Sequence, residues 1–334
     1  MKILLDKNKK YFKANMHCHS SNSDGKLSVG ELKEEYKKRG YSVIAFTDHE
    51  HLIDNSYLDD KDFLTITSCE IAIKEFENQS TLKNYDMRVC HLNLYAKDQH
   101  NTLTPCYSSV YDHYINDNIK DLINSDTEFK RIYSSEGINE IIKSANERGF
   151  LVSYNHPSWS LEGKDDYINY ENLFSVEIYN HSCVMLGIPD DEKVFDDLLR
   201  DGKKIFCIAG DDNHNRFKIG SESCDSFGGW ININADNLEY SEIIKALENG
   251  KFYASTGPLI YSLIQDNDKI IIESSPAKKI TLTTGGRRCD AVYSKKDSCI
   301  TKAEFILNST DKYVRLKVED EKGKKAYTQA YYIN

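Results

Sequence analysis

Three times in its first 257 residues the chain repeats one local order: an amphipathic stretch, a glycine, an apolar β-branched run and a polar tip. "SVGELKEEYKKRG" leads into "YSVIAFTDH", "EGINEIIKSANERG" into "FLVSYNHP", and "DEKVFDDLLRDG" into "KKIFCIAGDDNH". A glycine after a periodic stretch reads as a helix C-terminal cap, and Ser28 with Glu31 has capping-box spacing at the start of the first. No other feature constrains the fold as much, because this alternation predicts βα units. In barrels of parallel strands the βα loops gather at the C-terminal strand ends, so polar tips far apart in sequence converge over one mouth.

The tips are where His and Asp collect. His49 follows "VIAFTD", His156 follows "LVSYN", and Asp212 and His214 follow "IFCIAG", while Glu70 closes "FLTITSCE" and His91 lies inside "RVCHLNLYA". Near the N-terminus "NMHCHSSNSDG" places His17 and His19 two apart, on one face of an extended segment, with Asp24 just beyond. Taken singly, each histidine has an ordinary reading as a hydrogen-bonded core residue. Gathered at strand tips, they point to a metal centre, since neutral imidazole is the commonest metal-binding side chain. Cys18, Cys69 and Cys90 each adjoin one of these residues, but a neighbour on a strand faces the other way, so they are expected to be buried and uncoordinated. His51 stands beside His49 and reads equally as a loop residue, whereas His100, His113 and His181 fall outside the pattern.

Residues 97–134 interrupt the repeated order with a polar, partly helical insertion that reads equally as a lid over the mouth or as decoration. Beyond Gly257-Pro258 the pattern changes to short alternating strands, which predicts a β-rich accessory domain over 258–334 after a first domain over 1–257. Charge divides at the same place. Residues 258–334 hold 14 Lys and Arg against 10 Asp and Glu, whereas residues 1–257 hold 29 against 43, and an acidic first domain argues against a long nucleic-acid partner. The run "ILL" at the N-terminus is too short for a signal peptide or membrane span, so a cytoplasmic protein with no membrane partner is expected. Nine cysteines without a CxxC pair read as reduced thiols. No P-loop, dinucleotide fingerprint or G-x-S-x-G elbow is present. Arg287, Arg288, Lys295 and Lys296 read as a solvated face.

In order, the set is His17-x-His19-x4-Asp24, Thr47-Asp48-His49, Glu70, His91, Asn155-His156-Pro157 and Asp212-x-His214. Its order and residue types resemble the PHP family, named for polymerase and histidinol phosphatase domains, across residues 15 to about 257. "ALENGKFYASTGP" ahead of a β module, with "VEIYN" at 176–180, is similar to the CehA/McbA-like branch of that family. The resemblance implies a distorted (β/α)7 TIM-like barrel that binds two or three divalent ions, Zn, Mn or Fe. It assigns His17, His19, Glu70 and Asp212 to a first ion, Glu70, His91 and His156 to a second, and Asp24, His49 and His214 to a third. It implies a small anionic, phosphorylated substrate, either a phosphomonoester or a cyclic or nucleotide phosphodiester, attacked by a hydroxide that bridges two ions. Asp48 or Asp211 is then a candidate proton donor to the leaving group, or else orients a ligand histidine, and Trp159, Arg216, Lys218 and His181 are candidates on the substrate side. Two other readings stay open: a carboxyl or carbamate ester hydrolase on the same centre, and a non-catalytic metal-binding scaffold.

Overall fold

The computed structural model describes residues 1–76, 87–125 and 127–333. Its strands are β1 (Lys2–Leu5), β2 (Lys10–Cys18), β3 (Tyr41–Phe46), β4 (Leu64–Lys74), β5 (Val89–Ala96), β6 (Leu103–Thr104), β7 (Asn124–Ser125), β8 (Phe150–Tyr154), β9 (Ser175–Asn180), β10 (Phe206–Gly210), β11 (Trp230–Ala235) and β12 (Phe252–Ser255). The C-terminal part adds β13 (Ile260–Asp266), β14 (Lys269–Ala277), β15 (Lys279–Thr284), β16 (Cys289–Tyr293), β17 (Ile300–Ile306), β18 (Tyr313–Glu319), β19 (Lys325–Tyr327) and β20 (Tyr331–Tyr332). Among the described residues the α-helices are α1 (Val29–Lys37), α2 (Ser135–Glu147), α3 (Lys164–Tyr167), α4 (His181–Met185), α5 (Glu192–Arg200) and α6 (Tyr240–Glu248).

The predicted helix ends form as the chemistry requires. Ser28 caps α1, its hydroxyl accepting from the Glu31 amide while the Glu31 carboxylate accepts from the Ser28 amide at 2.9 Å. Gly149 and Gly202, just past α2 and α5, have φ of 85° and 97°, a conformation that a Cβ would disfavour.

A fourteen-stranded sheet runs in the order β10-β9-β8-β5-β4-β3-β2-β11-β12-β19-β18-β15-β16, with β20 also on β18. The pairs β2–β3, β3–β4, β8–β9 and β9–β10 are parallel. The expectation of parallel βα strands throughout this part is corrected at β11, which runs antiparallel to both β2 and β12, and at β5, which runs antiparallel to both β4 and β8. At β5 the cause is that β4 continues past Glu70 to Lys74 before the chain returns, so Ala72 pairs with His91. His91 therefore sits near the start of its strand, yet at the same end of the sheet as the C-terminal tips of the parallel strands. At that end the sheet curls on itself. Cys18 bridges Asn213, the Asp212 amide donates to the His17 carbonyl at 2.9 Å, and the His19 amide donates to the Asn213 carbonyl at 3.2 Å. Among the described residues these contacts, rather than a strand ladder, join the ends of β10 and β2.

A second, four-stranded antiparallel sheet has the order β1-β13-β14-β17. The N-terminal strand thus joins the C-terminal part, and Leu4 and Leu5 pack with Ile260, Leu263, Ile272, Leu282 and Phe305 in one apolar cluster. The large sheet passes into the same region through β12–β19, where Ala254 pairs with Tyr327. Among the described residues no helix is long and apolar enough to cross a membrane.

Candidate metal centre

The curled end of the sheet collects all nine predicted ligand residues. His17 is the penultimate residue of β2 and His19 lies just past its end, both fully buried, and their Nε2 atoms are 3.3 Å apart. Glu70 reaches them from β4, His91 from β5, His156 from the turn after β8, and Asp212 from the turn after β10. His156 and Asp212 adopt φ of 24° and 51°, a left-handed backbone that costs free energy in residues bearing a Cβ and that recurs where a side chain must be aimed.

Three groups of donor atoms result, each within 4.8 Å of one another: His17, His19, Glu70 and Asp212; Glu70, His91 and His156; and His19, Asp24, His49 and His214. Glu70 belongs to two groups and His19 to two. In the first, His17 Nε2 lies 3.3 Å from Glu70 Oε1 and 3.2 Å from Asp212 Oδ1, and His19 Nε2 lies 3.1 Å from Asp212 Oδ1. In the second, Glu70 Oε1 is 3.1 Å from His91 Nδ1 and 3.2 Å from His156 Nε2. In the third, Asp24 Oδ1 is 3.3 Å from His214 Nε2, 3.7 Å from His49 Nε2 and 3.8 Å from His19 Nδ1.

The residues fit a divalent metal on two counts. Donors about 3.4 Å apart are the edges of a tetrahedron with bonds of roughly 2.1 Å, the length of zinc–imidazole and zinc–carboxylate bonds. The buried atoms His19 Nδ1, His49 Nδ1 and Asp24 Oδ1 also lack hydrogen-bond partners, which buried polar atoms rarely do. Electrostatics agree. Burial disfavours the charged form of His17, but Asp212, Glu177 and Glu70 outweigh it and hold the imidazole well above its usual range. Burial is likewise overcome at His19, which Asp212 and Glu70 raise to about 10. Glu70 and Asp212, despite burial, are held well below the carboxylate range by the imidazoles around them. His49 goes the other way, driven well down by burial and then by the charge of His19. Protons here neutralise carboxylates that a cation would neutralise equally, so metal binding must release protons.

A surrounding layer of polar groups, absent from the sequence reading, aims these side chains. Glu177 Oε1 lies 3.1 Å from His17 Nδ1, while its Oε2 accepts from the His156 amide at 3.2 Å and from Asn180 Nδ2 at 2.9 Å. Asn155 Nδ2 donates to Glu70 Oε1 at 2.8 Å, and Asn180 Nδ2 also donates to Asp212 Oδ2 at 3.1 Å. Contacts of this kind fix the tautomer and orientation of metal ligands. The only sequence hint was a carboxylate standing alone among apolar residues in "SVEIYN".

The remaining candidates are placed less centrally. Asp48 accepts from the Ser20 amide at 2.7 Å, the Ser20 hydroxyl at 2.6 Å and the Ser23 hydroxyl at 2.7 Å, which pins the loop carrying Asp24. Asp211 accepts from Tyr36 Oη and from the amides of Phe227, Gly228 and Gly229. Trp159 is 40% exposed with its ring 5.3 Å from that of His91 and 4.9 Å from that of His156, so it walls the second group. Arg216 reaches Asp24 Oδ2 at 3.5 Å, and Lys218 lies exposed two residues further on. His181 contacts Tyr179 Oη at 3.1 Å and enters none of the three groups. Cys18, Cys69 and Cys90 are buried free thiols whose protons burial holds firmly.

Residues 15–168 match the model of the PHP domain. No curated protein matches the chain. Among solved structures, a two-domain protein from Bacteroides vulgatus ATCC 8482, described as containing a predicted PHP-like metal-dependent phosphoesterase, is 13% identical, with a TM-score of 0.44 over 98% of each chain. Another, from Bifidobacterium adolescentis ATCC 15703 and described provisionally as a metal-dependent phosphoesterase, is 14% identical, with a TM-score of 0.39 over 70% of this chain and 94% of its own.

Proposed function

From the PHP domain at residues 15–168, we propose that this chain is a metal-dependent phosphoesterase acting on small phosphate esters, mono- or diester, with the nine-residue cluster as its centre. The observation that carries this reading is Glu70, a buried carboxylate shared by two donor groups, with the third group adjoining through His19. An ordinary ion-pair network needs no such sharing of one buried carboxylate between two sets of imidazoles. Divalent ions held there, Zn, Mn or Fe by the donor set, supply Lewis acidity and a water ionised near neutral pH.

The chain's own groups do the rest. His17, His19, Glu70 and Asp212 hold the first position, Glu70, His91 and His156 the second, and Asp24, His49 and His214 the third. Glu177 keeps the His17 proton on Nδ1 and so frees Nε2 for the centre. Asp48 acts by fixing the 19–24 loop. Trp159 excludes water beside His91 and His156, and Arg216 offers a cation to the substrate's charge. The acidity of residues 1–257 favours a small substrate over long nucleic acid. Residues 258–334 are the accessory β domain of this reading, and "ALENGKFYASTGP" supports the CehA/McbA-like branch.

The test is hydrolysis of p-nitrophenyl phosphate, bis-p-nitrophenyl phosphate and p-nitrophenyl acetate by protein loaded with Mn or Zn, against the chelated protein. Metal-dependent turnover of a phosphate ester with the acetate intact is the expected result. Cleavage of the acetate alone would replace this reading with a carboxyl ester hydrolase.

A further inference from the structure

The insertion after β5 reaches the metal centre from one side. Tyr114, ending a 3-10 turn over Ser109–Tyr114, lays its ring 4.7 Å from that of His49. Asn116 donates through Nδ2 to the carbonyls of Ser21 and Ser23, in the loop that carries His19 and Asp24, so the insertion is fastened to the site. The Tyr114 hydroxyl accepts from Lys74 Nζ at 3.2 Å. Lys74 ends β4 four residues beyond Glu70, and residues an even number apart on a strand share a face.

Lys74 is an unusual cation. It is only 8% exposed, and its ammonium lies 5.2 Å and 5.1 Å over the rings of Tyr111 and Tyr114. Among the described residues it forms no ion pair. The one carboxylate that influences it is Glu50, already paired at 2.7 Å with the fully buried Arg131. Among the described residues this corner therefore holds two buried cations against one carboxylate. Burying an ammonium is costly, and aromatic faces offset part of that cost where a full opposite charge would offset more.

We propose that Lys74, with the Tyr114 hydroxyl beside it, forms an anion subsite at the rim of the metal centre that receives a second acidic group of the substrate, separate from the scissile ester. The inference rests on the phosphoesterase reading and deepens it, because the substrate then carries a carboxylate or a second phosphate. The insertion becomes the source of substrate selectivity.

The experiment compares phenyl phosphate, 4-carboxyphenyl phosphate and 1,4-phenylene bisphosphate on wild-type, Lys74→Met and Lys74→Arg proteins loaded with metal. Lys74→Met is expected to raise KM about tenfold for the carboxylated substrate, the bisphosphate or both, with kcat changed little and phenyl phosphate nearly unaffected. Which of the two responds identifies the anion. Lys74→Arg keeps the charge and is expected to retain the selectivity, and a thermal melt of each variant separates this from a folding defect. An equal loss on all three substrates, or no loss on any, would overturn the subsite. If the wild-type protein hydrolyses none of them, the phosphoesterase reading is what fails. Calorimetric titration of 1,4-phenylene bisphosphate then judges the subsite separately, with weaker binding by Lys74→Met supporting it and equal binding refuting it.

Discussion

His17 can offer Nε2 to the centre because Glu177 takes its other nitrogen, and this division of labour makes the two residues separable by mutation. His17→Ala removes a donor outright and is expected to cut turnover by at least about a hundredfold, whereas Glu177→Gln leaves the donor but loosens its tautomer and should weaken metal affinity by roughly 10–100-fold. Turnover of a phosphate ester measures the first and competition with a chromogenic chelator the second. Glu162 supplies a test at a distance from the metal. Burial raises its carboxyl to about 7, with hydroxyls of Tyr170, Tyr154 and Tyr133 only partly opposing that. The folded state then holds the proton up to a higher pH than the unfolded state, whose carboxyl titrates near 4.5. The contribution of this group to stability is present below pH 4.5 and is lost as pH rises toward 7, by up to roughly 3 kcal/mol. Glu162→Gln should therefore gain stability relative to wild type between pH 5 and pH 8 in urea titrations, and a constant difference would contradict the assignment. All nine ligand candidates were legible in the sequence because their types and order are distinctive. Glu177, Asn155 and Lys74 were not, because each acquires its role from a partner on another strand that spacing cannot reveal.

Close approach of the backbone sets part of the geometry of the centre, and two glycines show where it does and does not. Gly210 ends β10 where a Cβ would stand 2.7 Å from both His17 Cβ and Glu177 Oε1. Gly30 lies in α1 with nothing within 4 Å of its imagined Cβ. Gly210→Ala should cost about 1–3 kcal/mol through overpacking and lower metal affinity as His17 is pushed aside. Gly30→Ala should stabilise by roughly 0.5–1 kcal/mol, since helix propensity alone is at stake, and leave the metal untouched. The helices and parallel strands could be read from periodicity and caps. The reversal at β5 could not, because an apolar run carries no mark of its direction, and only the pairing of β5 with β4 out to Lys74 shows it.

At the scale of the whole chain, the composition change near Gly257-Pro258 suggests two separable parts, yet groups from beyond it complete the sheet that carries the ligands. Gln329 accepts from the Cys207 amide at 2.8 Å and donates to the Cys207 carbonyl at 3.0 Å, so a side chain does at β10 what a neighbouring strand would do. Arg315, 2% exposed, donates to Asp196 and Glu192 of α5 at 2.8 Å and 3.0 Å. No periodicity or motif announces such contacts, since each joins residues more than a hundred positions apart. They predict that the second part stabilises the first. Gln329→Leu strands two buried backbone groups and should cost about 2–4 kcal/mol. Arg315→Met leaves Asp196 only the longer contact to Arg200 at 3.8 Å, while Lys317 still neutralises Glu192, so its cost should fall near the lower end of the roughly 3–5 kcal/mol typical of broken buried pairs. Both variants keep every ligand residue, so at low denaturant their metal stoichiometry should equal that of wild type while their urea midpoints drop. If both unfold with the wild-type midpoint, the contacts add nothing, and residues 1–257 should then fold and bind metal alone. If the midpoints fall as expected, that fragment should expose the edge of β12 and the side chains of Leu4 and Leu5, and aggregate.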